Sequence, residues 1–237
     1  MKSQSNGYIL HESPTVVAIA TLKSSNRKTG NMVQVWILNR NESPLAALKS
    51  GADKEVCGMC KHRPNGNGKR SCYVDVGRAP EGVWKAYQRG RYEYLTPDKY
   101  GKVFFGRRIR FGAYGDPAFV PVKIWTALKN SVDGHTSYTH NWKRDASLKL
   151  LSMASVDSVE EYNQARSLGW RTFRVSVDAK TLPGEIMCPA SAEAGHKTTC
   201  EMCCLCNGAT SDGDKRKSIM IKVHGTGKNN FVNIRGV

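Results

Sequence analysis

Three cysteines, Cys57, Cys60 and Cys72, bracket a loop of Pro, Gly, Asn and basic residues in the stretch CGMCKHRPNGNGKRSCYVDVG. Thiolates spaced C-x2-C can clasp one metal ion or one edge of a cluster, because the intervening turn lets both side chains point inward while free amides hydrogen-bond to sulfur. Cys72, from beyond the loop, completes a three-point seat. Three thiols are one short of a tetrahedral zinc site and odd for disulfides, but enough for a [4Fe-4S] cluster with one iron left open. His62, the histidine of this loop, can instead supply a fourth ligand and make a Cys3His zinc site. Lys61 separates Cys60 from His62, so the stretch is not a c-type haem signature.

A second group follows as Cys188-x11-Cys200-x2-Cys203-x2-Cys206, with Cys204 adjacent. Four thiolates close a site fully, which suits structural zinc or a four-cysteine [4Fe-4S] cluster. The tight half, CEMCCLC, places a thiol at every third position, like the cysteine run of bacterial ferredoxins. Zinc more often draws on two separate C-x2-C knuckles, which tilts the reading toward iron and sulfur. Cys204 either replaces Cys203 or packs.

The rest of the composition sets the frame for these groups. Eight cysteines in 237 residues, with no apolar leader after Lys2, are expected to stay reduced in a cytosol and to ligate metal rather than form disulfides. No stretch approaches the roughly 18 apolar residues a membrane helix requires, so no membrane association is expected. A formal charge of +16 attracts a polyanion such as nucleic acid, or else is a solvated face. Arg107, Arg108 and Arg110 fall in one strand, with Arg108 and Arg110 on one side. Lys215, Arg216 and Lys217 fall in a turn. Tyr92, Tyr94, Tyr100 and Phe104 lie among bases and offer stacking platforms for a strand of nucleic acid.

Positioning these residues falls to a series of alternating elements. Thr15 to Leu22 and Met32 to Leu38 read as two strands joined by the polar turn SSNRKTGN, followed by a short helix in SPLAALKSG. EGVWKAYQRG reads as a helix stopped by Gly90. VFFGRRIRFGAYGDP reads as a strand from Val103 ending in a Gly-rich turn, and VPVKIWTALKNSVDG as the next helix. LKLLSMASVDS leads into a helix in VEEYNQARSLG, whose Ser158 and Glu161 have capping-box spacing. Alternation in WRTFRVSVD and SIMIKVH marks two further strands. Strands alternating with helices imply parallel pairing by right-handed crossovers, hence an α/β fold and, with five or six units, an open partial (β/α) TIM-like barrel. We expect one domain over 1–237, with N-terminal strands in 1–50 and a C-terminal cysteine-cluster segment in 185–215. In such folds the chemistry gathers at the carboxyl ends of the strands.

Two further groups fall at such ends. Gly115, Asp116 and Pro117 form a turn in which Asp116 either accepts from a ligand's ammonium or caps the next helix, with Pro117 at the first position. In GHTSYTHNW, His135, Tyr138 and His140 either line a pocket facing the open iron or pack and turn at the surface.

A strand ending in a three-cysteine loop, a later strand ending in a Gly-acid-Pro turn and a partial barrel around them resemble the radical S-adenosylmethionine superfamily. There three cysteines hold a [4Fe-4S] cluster whose open iron binds the methionine part of the nucleotide, and a Gly-Gly-Glu-Pro segment receives its amino group. The loop here, C-x2-C-x11-C, departs from the superfamily's C-x3-C-x2-C. Cys72-Tyr73, IRFGAYGDP, Trp125, Cys188-Pro189 and the Cys200 to Cys206 run, in that order, also resemble bacteriophage-encoded iron-sulfur proteins, including those with the gene-product-88 domain. The resemblance implies a radical-enzyme-like scaffold with two [4Fe-4S] clusters, reductive radical or redox chemistry, an electron donor as partner, S-adenosylmethionine as a further cofactor and a place in the host cytoplasm. The competing expectation is a zinc-stabilised nucleic-acid-binding protein.

Overall fold

A computed structural model describes residues 6–64, 68–211, 213–225 and 227–235. Its centre is one ten-stranded sheet in the order β4-β1-β2-β3-β5-β6-β7-β8-β10-β9. The strands are β1 (Gly7–Glu12), β2 (Val16–Thr21), β3 (Val33–Asn39), β4 (Glu93–Tyr94), β5 (Arg108–Tyr114), β6 (Gly134–Thr139), β7 (Met153–Val156), β8 (Thr172–Ser176), β9 (Glu185–Met187) and β10 (Ser218–Lys222).

The expected N-terminal hairpin is present, with Val16 opposite Asn39 and Thr21 opposite Gln34 in antiparallel register. GYILHE adds β1 beside it, a strand the sequence reading did not separate. A break in register between Ile9 and His11 lets Leu10 bury completely. From β3 onward every pairing along the sheet is parallel. The molecule is thus α/β with a mostly parallel sheet, but the sheet has two edges, β4 and β9, and does not close into a barrel. The antiparallel β1–β2–β3 meander occupies the flank where closure would have to occur.

Helices α1 (Pro44–Ser50), α2 (Lys54–Cys57), α3 (Ala79–Gln88), α4 (Tyr100–Phe104), α5 (Val122–Lys129), α6 (Val159–Ser167), α7 (Cys200–Cys203) and α8 (Lys228–Arg235) fill the connections. Ser158 caps α6 by accepting from Glu161 N at 3.1 Å, and Glu161 Oε2 returns to Asp157 N at 3.0 Å, so the capping pattern forms as expected. The strand expected from Val103 is corrected: Val103 and Phe104 end α4, where Tyr100 and Phe104, four residues apart, bury completely on one helical face. Gly106 then turns the chain at φ 69°, and the strand begins only at Arg108.

Alternation sends neighbouring residues of each parallel strand to opposite faces. Ile109, Phe111, Ala154 and Val156 face the helices and join Trp125 and Leu128 of α5 and Tyr162 and Ala165 of α6 in the larger core. Phe111 stacks on Trp125 with centroids 4.8 Å apart. Met153, Ile219 and Ile221 point the other way, toward a smaller core that includes Cys188 and Cys206. No helix among the described residues is long and apolar enough to cross a membrane.

Candidate metal and ligand site

The smaller-core side of the sheet holds a cavity of 390 Å³ whose wall includes Cys57, Cys60 and Cys72 from the first group and Cys188 and Cys200 from the second. The parallel strands contribute alternate residues to it: Arg110 and Gly112 from β5, Tyr138 from β6 and His140 just after it, Phe173 and Val175 from β8, Ile221 from β10 and Val223 just after it. The period of two that built the fold also faces these side chains into one space.

The first cysteine loop is fixed by contacts that its sequence did not advertise. Arg63 donates to both carboxylate oxygens of Asp53, at 2.8 and 2.6 Å, and to the carbonyls of Gly51 and Gly58. Cys72 N donates to His62 O at 3.2 Å, closing the loop, and Asp116 N donates to Val56 O at 2.7 Å, tying the β5 turn to the residue before Cys57. Gly58, at φ 59°, has to lack a side chain: a Cβ there lies 2.7 Å from Asn141 Oδ1 and from the Phe119 ring. Burial, and then the neighbouring Cys60 and Cys72 sulfurs, push the Cys57 thiol well above its usual value. Burial also opposes ionisation of Cys60, but the charge and hydrogen bond of His140 prevail and bring its thiol below the usual value. Burial in turn lowers His140, and the charge and hydrogen bond of Cys60 outweigh it, raising the imidazole to about 9.

His62 is not positioned to close this group. Its Nδ1 lies 2.7 Å from Ser71 Oγ and its Nε2 2.9 Å from Asp157 Oδ2, so both ring nitrogens are engaged away from sulfur. Its ring stacks on Phe231 and meets the edge of His140. Asp157, whose side chain is fully buried, also receives Lys61 Nζ at 3.1 Å. The ligand atoms of His62, His140 and Asp157 all lie within 4.8 Å of one another, the one such group of His, Cys, Asp or Glu among the described residues. Two histidines and a carboxylate suit a divalent metal in principle. Here Lys61 pairs with Asp157 Oδ2, Ser71 with His62 and Cys60 with His140.

In the second group, Cys188 extends β9, its N–H donating to Met220 O at 2.7 Å. Thr199 caps α7, and Cys200 N and Glu201 N dock on the carbonyls of Lys28 and Thr29 in the β2–β3 loop. Cys204 takes φ 47° and turns its sulfur toward His135 O, 3.5 Å away, over Gly134, whose missing side chain makes room. That leaves Cys203 with Cys188, Cys200 and Cys206. Burial raises the Cys206 thiol, a hydrogen bond from Tyr138 partly offsets this, and the charges of Cys188, Cys200 and Cys203 raise it further. Arg171, 1% exposed, holds the segment by donating to Leu205 O and Asn207 O at 2.8 Å and to Lys217 O at 2.9 Å. Neither Arg171 nor the Arg63–Asp53 pair carries a sequence signal, because each contact joins common residue types at a separation with no regular period.

The remaining candidates divide. Asp116 caps the turn at Pro117, accepting from Ala118 N at 3.0 Å, and also accepts from Thr139 Oγ1 and His140 N, each at 2.7 Å. Its carboxylate is an anchor between β5 and β6 rather than a free ammonium acceptor. Gly115 fits because a Cβ there lies 2.4 Å from Ile37 O. Tyr138 and His140 face the cavity, but His135 points to the helix side. There it stacks on Phe111, and its Nε2 lies 2.8 Å from Leu151 O. Burial lowers His135 to about 4. Of the residues expected to offer a nucleic-acid surface around β5, Tyr94 is exposed, Tyr100 and Phe104 are core, Arg108 donates to Glu201 O and Met202 O, and Arg110 faces the cavity.

No protein-family model, curated protein or solved structure matches the chain. The reading of the site therefore rests on its own residues.

Proposed function

We propose that the protein is an iron-sulfur protein that carries out redox or reductive radical chemistry in the cavity between its two cysteine groups. Cys57, Cys60 and Cys72 would hold a [4Fe-4S] cluster with one iron open, and Cys188, Cys200, Cys203 and Cys206 a closed one. The observation that carries the reading is that both groups line the same 390 Å³ space. The donor set supports this over a single zinc ion: among the described residues no three cysteine sulfurs gather within 4.8 Å of one another. A tetrahedral zinc with Zn–S near 2.3 Å needs sulfurs about 3.8 Å apart. A cubane seats each thiolate on a different iron and spreads them wider.

A bound [4Fe-4S] cluster supplies one-electron transfer. The chain does the rest. His140 hydrogen-bonds the Cys60 sulfur and Tyr138 the Cys206 sulfur, contacts of the kind that tune such sites. Phe231, stacked on His62, and Phe173, 4.3 Å from Tyr138, keep apolar surface against the cavity and limit water there. The parallel strands that turn alternate residues into one cavity support a partial-barrel-like scaffold, even though the sheet stays open. The Asp116 carboxylate already accepts from Ala118 N, Thr139 and His140 N, and this reading does not rest on S-adenosylmethionine. A reducing cytosol is the setting that suits eight unpaired cysteines.

Anaerobic purification tests the proposal. The expected protein is brown, absorbs broadly near about 400 nm and contains iron and sulfide in both sites. Colourless protein with stoichiometric zinc overturns it.

A further inference from the structure

The cavity wall is unequal in charge. Its cations are Lys28, Arg110 and His140, the last engaged by Cys60, and its single carboxylate among the described residues, Asp116, is committed to Ala118 N, Thr139 and His140 N. Arg110 reaches the cavity from the middle of β5. One of its terminal nitrogens donates to the Tyr73 hydroxyl, and its guanidinium carbon sits 5.8 Å from the centre of the Tyr138 ring. Its Nε is buried with no hydrogen-bond partner, and no ion pair to a carboxylate forms at Arg110 among the described residues. An unpaired buried N–H on a cation is costly, and a guanidinium is the side chain best shaped to take a carboxylate or phosphate through two parallel hydrogen bonds. Facing it are Tyr138, Phe173, Val175 and Ile221, which offer apolar surface to the body of a ligand.

We propose that Arg110, assisted by Lys28, receives the anionic head of a small organic ligand whose apolar or aromatic body lies against β8 and β10. The volume suits a metabolite rather than a polymer. This names the ligand class of the cavity and rests on the reading above for the cavity's redox role, but not for its charge. A different use of Arg110, neutralising the thiolates of the nearby second cysteine group, predicts another outcome in the same experiment.

The test is calorimetric titration of the anaerobically purified full chain with 3-phenylpropionate, phenyl phosphate and the neutral 3-phenylpropanamide, alongside its visible spectrum and iron content. At least one of the two anions binds, about tenfold or more tighter than the amide, the difference expected from a charge-assisted pair. Which of them binds tighter separates a carboxylate from a phosphate head. Arg110→Met weakens the anion by about the same factor while visible absorbance and iron stay at the wild-type level, and Arg110→Lys recovers part of the binding. The proposal is overturned by equal binding of acid and amide, by binding of neither anion, or by loss of absorbance and iron in Arg110→Met. The wild-type comparison of acid and amide decides the matter even where a variant does not fold. Colourless wild-type protein that still discriminates acid from amide refutes the cluster reading alone.

Discussion

The two cysteine groups share a cavity but are held in different ways. The first is wired to strand ends and to polar side chains: Arg63 on Asp53, His62 on Asp157, Asp116 N on Val56 O. All three of its sulfurs line the cavity. The second is laid across the far end of the sheet. Only Cys188 and Cys200 line the cavity, Cys206 is buried behind Tyr138, and the 200–206 run is pinned chiefly through its backbone by Arg108, Arg171 and the β2–β3 loop. Under the proposed metal reading, the group tied by Arg63–Asp53 and His62–Asp157 relies less on metal for its position than the run of four thiols does. The first group opens to the cavity with three sulfurs, the second with two.

The largest effect that sharpens this contrast comes from removing whole groups. Serine at Cys188, Cys200, Cys203 and Cys206 is expected to lower iron from about eight to about four per chain and the thermal midpoint by roughly 10 °C or more. Serine at Cys57, Cys60 and Cys72 removes as much iron but shifts the midpoint far less. Equal shifts in calorimetric scans break the contrast.

A somewhat smaller effect isolates the helix-covered face. His135 is neutral in the fold, with its pKa lowered to about 4 from 6.5. The unfolded chain therefore binds the extra proton first as pH falls. Stability is fully present above about pH 6.5 and declines toward pH 4, by about 3 kcal/mol in all. Urea midpoints across that range should lose this part of their slope in His135→Gln, and an unchanged slope removes His135 as its source.

Next in size is His62→Phe. It removes the imidazole partner of Ser71 and one hydrogen bond to the Asp157 carboxylate, at a cost of about 1–3 kcal/mol in urea unfolding. Iron content is expected to stay constant, because both ring nitrogens are engaged by the oxygens of Ser71 and Asp157. A fall in iron would show that His62 closes the first group after all.

Smallest is Cys204→Ala. Its sulfur points to His135 O, so iron and visible spectrum are unchanged and stability moves by less than about 1 kcal/mol. The matching Cys203→Ala loses cluster absorbance. Reversed results exchange the two residues' roles.

Much of the scaffold was legible because it rests on local periodicity. β2, β3, β8 and β10 alternate or run apolar, and Ser43, Ser158 and Gly51 mark helix ends by side-chain and backbone chemistry that acts within a few residues. Val103 to Phe105 misled because a short apolar run carries no clear period, and burial of Tyr100 with Phe104 decided for helix. In the site, Tyr138 and His140 were found by their types near a strand end. His135 was misplaced because a strand sends adjacent residues to opposite faces, and its register appears only once the strand is paired.

The sequence by itself determined the two sets of thiols, their spacing and the α/β alternation, all of which follow from neighbours close along the chain. The tertiary structure alone decided that both sets open on one cavity, that the sheet stays unclosed, that His62 turns to Asp157, and that Arg110 faces inward with an unpaired Nε. These depend on which strands pair and which face each residue takes. That choice is made by burying the large apolar core, and it carries the polar residues with it.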